Sequence, residues 1–413
     1  MKNNDNIRFH IYEPETEKNT VGGFRENEKK HTKKVNAIVI MAVALFFMFW
    51  ISMLLIVPYD QFSFNPAWVF EHIKSSFQEL YKVLFGGYTT YSVIIVRYLA
   101  IIVCGAALAA SGSALKGSFK NTLAGPSTMG VMSGGSIGAM VYIFLFMEST
   151  SSQVIEATRA SELINENPSF MDTYGQAVFV LAGCFLGVIT TMGVANIAGR
   201  GKVSRTAMIL SGTVISSLSS NIMMIVQYYI ILKDPDDERI TYIQELMMGS
   251  FDRVNTFGQL AMMSVPIIIC LVILIVISGR LNLLSLGEDE ARSMGINVKM
   301  YSTLLIIIAT VLTAFVVAFV GRIGFLGFMI PMVAQKFVGH DMKKLLPASM
   351  LMGAIMLMVV YDVAKALNLT GYLNMITTPI GAIVMFITLI RSRKGGQGDE
   401  ALRPRGFAGM GMR

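Results

Sequence analysis

Charge is scarce in this chain. Asp, Glu, Lys and Arg together make up 15% of 413 residues, against 54% hydrophobic, which leaves too little polar side chain to coat a soluble fold of this size. Cysteine is scarcer still, and Cys104, Cys184 and Cys270 all fall inside apolar runs. There a thiol acts as a small hydrophobe, so neither a disulfide nor a metal site is expected. Alternating polar and apolar patterning is missing, which removes a β-barrel. No G-x-x-x-x-G-K-[ST] phosphate loop occurs, and AGRGKVS around Gly201 has the wrong spacing, so the chain binds no ATP in a phosphate loop. No series of buried carboxylates runs through the apolar stretches, which argues against coupling to a proton or sodium gradient.

What the chain does have is length of apolar run. Ten blocks near the roughly 20 residues that cross a bilayer lie at Ala37 to Val57, Arg97 to Leu115, Thr128 to Phe146, Gly175 to Ala198, Thr206 to Ile231, Phe257 to Ser278, Tyr301 to Val320, Gly324 to Val338, Leu346 to Leu367 and Leu373 to Ile390. The eighth is short. Inside lipid, unbroken runs satisfy their backbone only as helices, so the fold class is all-α: a polytopic membrane protein with about ten transmembrane helices. The domains expected are a polar tail over 1–36, a membrane domain over 37–392 and a flexible Gly-rich tail over 393–413.

Orientation follows from where the cations lie. Lys116 and Lys120; Arg200, Lys202 and Arg205; Arg280, Arg292 and Lys299; Lys336, Lys343 and Lys344; and Arg391, Arg393 and Lys394 share one side. The loops opposite are mainly acidic, with Glu148, Glu156, Glu162, Glu166 and Asp172 in one and Asp234, Asp236, Asp237 and Glu238 in the other. Both termini are therefore expected in the cytoplasm of a multi-pass cell-membrane protein. The net charge of +7 sits in the inner loops and calls for no nucleic acid. Lys29, Lys30, Lys33 and Lys34 anchor the first span near anionic lipid headgroups.

Three features suggest function. Leu283 to Lys299 (LLSLGEDEARSMGINVK) is a polar, helix-capable hook between two spans on the basic side, suited to a separate cytoplasmic machine. Gly105 to Gly117 and Gly130 to Gly138 space small residues about four apart, which lets helix backbones approach closely. Ionisable residues near span ends reduce to Arg97, which can snorkel outward, and to Asp362 with Lys365, three apart on one helix face and placed to pair.

These residues resemble the permease subunit of ATP-binding-cassette importers for iron siderophores, haem and cobalamin, the type II importers with ten helices per subunit. The resemblance covers roughly Arg97 to Arg393 and rests on RYLAIIVCGAALAASGSALKGSFKNTLAGPSTMGV, LMMGSF (Leu246 to Phe251), LSLGEDEARSMGINV (Leu284 to Val298), GFLGFMIP and VGHDMKKLLPASMLMGA, in that order. It implies that 284–298 couples to the ATPase, through Gly287, Glu288, Ala291, Arg292 and Gly295. It implies a translocation path along the fifth span, lined by Ser211, Thr213, Ser217, Ser220, Asn221 and Met224, with the tenth span helping to open and shut it. It also implies that Arg97 and Lys365 dock an external substrate-binding protein.

The implied partners are a second permease subunit, two cytoplasmic ATPases that carry ATP and Mg, an extracellular binding lipoprotein and membrane lipid; no cofactor is bound by this chain itself. Departures from the family pattern are Ile94 to Val96 before Arg97, where a second docking arginine is usual, Thr122 for proline, Met332 for histidine, Gln335 for arginine and Ile383 for proline. The missing arginine favours a heterodimer over a homodimer. The expected cargo is a ferric siderophore, with haem and cobalamin next. A stand-alone secondary transporter is the alternative, and a membrane scaffold the non-transport reading.

Overall fold

The computed structural model describes residues 36–52, 74, 90–119, 125–146, 170–198, 205–235, 237–286 and 288–401. Its helices are α1 (Asn36–Ser52), α2 (Thr90–Phe119), α3 (Val131–Phe146), α4 (Phe170–Ala198), α5 (Arg205–Lys233), α6 (Glu238–Met248), α7 (Phe257–Leu286), α8 (Glu288–Ser293), α9 (Val298–Val320), α10 (Leu326–Val338), α11 (Met342–Ala366) and α12 (Leu373–Ala401). Among the described residues the fold is all-helical, as the apolar runs require.

Over the described residues, a helix occupies most of each of the ten expected blocks. Six are long and apolar enough to cross a membrane, in α2, α4, α5, α7, α9 and α11, and four shorter apolar ones lie in α1, α3, α10 and α12. α10, with 13 residues, is only about 20 Å long at about 1.5 Å per residue. It cannot cross a roughly 30 Å hydrocarbon core, so one of its ends lies at depth inside protein.

Two helices fall outside the ten. The acidic stretch after the fifth block, read as an outer loop, folds from Glu238 into α6, and α8 occupies part of the hook. α12 continues to Ala401, into the segment expected as a flexible tail. Residues 1–35, the acidic stretch 147–169 and residues 402–413 lie outside the described residues.

The core is built on α2 and α9, in each of which 61% of the span is buried. α2 packs against α7, α9, α10 and α11, and α3 against α4. Lipid offers no hydrophobic drive for helix association, so stability must come from close packing, and two glycine contacts show how close it is. A Cβ on Gly112 would lie 1.4 Å from the Gly327 carbonyl oxygen, where α2 crosses α10. A Cβ on Gly134 would lie 2.2 Å from the Gly183 carbonyl oxygen, and one on Gly183 2.3 Å from that of Gly134. The small-residue stretches read from the sequence are therefore backbone-to-backbone contacts. The three cysteines are free; Cys104 and Cys184 are buried and Cys270 is half-buried.

Gly112→Ala should destabilise the bundle by about 1–3 kcal/mol or more, the usual cost of overpacking. Thermal unfolding of the purified chain in detergent measures this, and an unchanged midpoint would refute the close α2–α10 contact.

Candidate translocation path and coupling segment

α5 is the least covered of the long helices, with 17% of its span buried. Thr213, Ser217, Asn221 and Met224 are exposed, Ser220 is half-buried, and Ser211 and Met223 are buried. At 3.6 residues per turn the spacing of 213, 217, 220/221 and 224 puts five of the six expected path residues on one stripe, with Ser211 turned inward. The flank beside the stripe is fixed by Ser216, whose hydroxyl meets Ser133 Oγ of α3 at 2.7 Å, and by Gly212, where a Cβ would lie 1.9 Å from the Thr128 carbonyl oxygen. Some of the hydroxyls also bond back along their own helix: Thr213 donates to Leu210 O at 2.8 Å and Ser220 to Ser216 O at 3.0 Å.

Beside this stripe lies a junction that sequence reasoning missed. The linker 321–325 between α9 and α10 meets the C-terminal end of α6 and the N-terminal end of α12. Arg322 N–H donates to Leu246 O at 2.9 Å, Ser250 N–H to Val320 O at 2.8 Å and Leu373 N–H to Gly249 O at 3.1 Å. Gly324 N–H donates to Asn374 Oδ1 at 3.0 Å. Gly321 has φ 87°, and a Cβ there would lie 2.7 Å from Leu246 O. From this linker Arg322 Nη1 donates to Ser220 Oγ at 3.3 Å. The available signal was an arginine set between two apolar blocks in VGRIG.

On the basic side α8 is a six-residue helix. It closes with Gly295 N–H donating to Arg292 O at 2.9 Å and Ile296 N–H to Ala291 O at 3.0 Å. This is a Schellman-type stop, and Gly295 supplies its left-handed residue at φ 79°. Ala291 is buried, while Arg292, Ser293, Met294 and Gly295 are exposed, so the segment offers an outward face on a seated base. Asn297 caps the next helix by accepting from Met300 N–H at 3.1 Å. Gly287 lies outside the described residues, and Glu288 is placed by its backbone alone, as the first residue of α8.

At the opposite end the expected docking residues sit in polar networks. Arg97 Nη1 donates to Asp252 Oδ1 at 2.7 Å and Nη2 to Asn255 Oδ1 at 2.8 Å. Asp252 also accepts from Thr370 at 2.9 Å, so Arg97 organises the loop before α7 and is no bare cation. Asp362, one turn from Lys365 on α11, accepts from Ser52 Oγ at 2.5 Å and Tyr98 Oη at 2.8 Å. Its carboxylate thus joins α1 and α2 to α11. Asp237 caps α6, accepting from Arg239 N–H at 2.9 Å. Burial works to raise its pKa, but the hydrogen bonds and charge of Arg239 prevail and hold it below the usual carboxylate range.

A helical bundle with a polar stripe on a lightly covered span and an exposed hook at one end is the arrangement of a membrane-spanning transport subunit. The FecCD transport family model matches residues 45–391, and the chain belongs to that family, whose members are ABC transporter permeases working with ATPase and binding-protein partners. A molybdate import system permease protein of Haemophilus influenzae is 30% identical over 317 residues, covering 75% of this chain and 83% of that protein. A vitamin B12 import system permease protein of Vibrio cholerae is 28% identical over 299 residues, covering 72% and 81%. Among solved structures, a metal-chelate type ABC transporter in an inward-facing conformation aligns with a TM-score of 0.64 at 26% identity, over 86% of this chain and 99% of that one. Family membership sets the stand-alone carrier and the scaffold aside.

Gly295→Ala meets no atom within 4 Å, so its cost is backbone strain of about 1–2 kcal/mol. The Ile296 amide should then exchange about 5–30 times faster; equal exchange would show that the stop does not depend on Gly295. At the other end, a lowered Asp237 pKa means a contribution present in full above the ordinary carboxylate range and lost as pH falls through the folded-state pKa. Hydrogen-exchange protection of the first turn of α6 should fall in that window, and Asp237→Asn should flatten the profile. A pH dependence that survives in Asp237→Asn would count against this assignment.

Proposed function

We propose that this chain imports an iron chelate, a ferric siderophore before haem or cobalamin, as one of two permeases powered by two cytoplasmic ATPases. The observation that carries this reading is the combination of α8, exposed and held by the Gly295 stop, with the exposed polar stripe of α5. ATP and Mg belong on the ATPases, with no cofactor on this chain. Closure of the ATPases pushes on residues 284–298, through Glu288, Arg292 and the segment around Gly287, Ala291 and Gly295. The movement opens and shuts a path lined by Thr213, Ser217, Ser220, Asn221 and Met224 of α5, with α12 alongside. Both termini face the cytoplasm, a reading supported by the cations Lys116, Lys336, Lys343 and Lys344 at one end of the bundle.

A binding protein delivers the cargo outside. Lys365 and the Arg97–Asp252 pair face it, and ion pairs there would set orientation and encounter rate more than affinity. With one docking cation engaged by Asp252 and none at 94–96, pairing with a second, different permease is preferred to a homodimer. A bulky chelate suits a wide path with few fixed charges.

The test is the full importer reconstituted in vesicles with the products of the neighbouring genes. Shortening the hook by deleting 288–293 should leave basal ATP hydrolysis near wild type and abolish ATP-dependent uptake of a ferric siderophore. Uptake coupled to hydrolysis as in the wild type would reject the coupling role.

A further inference from the structure

The path stripe carries few fixed charges, but one cation stands directly beside it. Arg322 bonds to Ser220, which lies midway along the 29-residue α5, about 20 Å from either end at about 1.5 Å per residue. The linker runs from the end of α9 to the short α10, which starts four residues after Arg322 at Leu326. Among the described residues, the only side-chain partner of the guanidinium is the Ser220 hydroxyl, a neutral group, and no carboxylate pairs with it. Arginine stays protonated in such a site. A charge inside a membrane protein faces the bundle interior or a water-filled cavity, and such residues commonly mark substrate or ion pathways.

We infer that Arg322 is a specificity-determining residue at mid-path that favours cargo presenting anionic oxygen, such as an anionic metal chelate, over neutral or cationic cargo. The inference rests on the path reading given above and deepens it. The backbone arrangement suits the role: the Arg322 amide is bonded to α6 through Leu246 O and Gly324 to α12 through Asn374, so the linker holds the guanidinium against α5 rather than letting it swing outward. Ser220 fixes one Nη and leaves the rest of the planar fork for a carboxylate, catecholate or oxyanion. The charge would act as a weak way-station, since passage needs release as well as binding.

The test reads the charge at the path itself, with no need to know the cargo. Ser217→Cys and Met224→Cys, each about one turn from Ser220 on the exposed face, are introduced separately into the full chain assembled with its partners. Each thiol is titrated with anionic methanethiosulfonate ethylsulfonate and with cationic methanethiosulfonate ethyltrimethylammonium, and the unsubstituted chain supplies the blank for Cys104, Cys184 and Cys270. Both reagents should react, and Arg322→Gln should lower the anionic-to-cationic rate ratio by about fivefold or more, as a unit charge within about 10 Å requires. Arg322→Lys should keep the ratio, which separates charge from fold. A ratio unmoved by Arg322→Gln overturns this inference and leaves the path reading standing. Failure of both reagents at both positions overturns the path reading and this inference with it.

Discussion

In a membrane, a helix that stops short of the surface leaves amides and carbonyls with no water to receive them, and that constraint governs the middle of this protein. α10 is too short to span, α6 is a short helix of 11 residues, and α9 and α12 end or begin beside them. The loose ends are tied to one another: Val320 O, Leu246 O and Gly249 O each accept an amide from a different segment, and Asn374 supplies a side-chain acceptor for Gly324. Unsatisfied, such groups would cost several kcal/mol each in lipid. Glycines at 249 and 321, both at positive φ, let the backbones come close enough for these bonds. The same knot fixes where Arg322 stands relative to α5, so the chemistry of the stripe and the satisfaction of the backbone are one problem with one solution.

Much of this architecture was legible in the sequence. Apolar run length found the ten blocks because membrane thickness is a hard ruler, and the lack of a phosphate loop directed attention to the hook, part of which folds as α8. The spacing of small residues foretold the Gly112–Gly327 and Gly134–Gly183 contacts in kind, though not in partner. α6 escaped because it is amphipathic and begins in an acidic stretch, where charge suggested a loop; the Asp237 cap and the Gly249 stop are its local signals. Ser211 was grouped with the stripe by residue type, but rotation about the helix axis buries it.

The polar sites were harder to foresee, since they depend on which helices meet. Arg97 read as an outward cation, yet Asp252 and Asn255, far along the chain, engage it. Asp362 reads as a partner for Lys365, whose charge does act on it, and two hydroxyls from α1 and α2 also bond its carboxylate. Residues 310 and 264 positions apart give no local pattern to find. Arg322 was invisible for the opposite reason: it lies in a five-residue linker too short to register as anything but a turn.

Where Gly134 faces Gly183, and Gly130 and Gly138 lie alongside Gly187 and Phe179, the distance between α3 and α4 is set by main chain touching main chain. Side chains elsewhere can slide among rotamers and absorb a displacement, but two touching backbones have nothing to yield. α3 and α4 therefore form a stiff pair, and α5 is seated against it at the Ser133–Ser216 contact and where Gly212 meets Thr128.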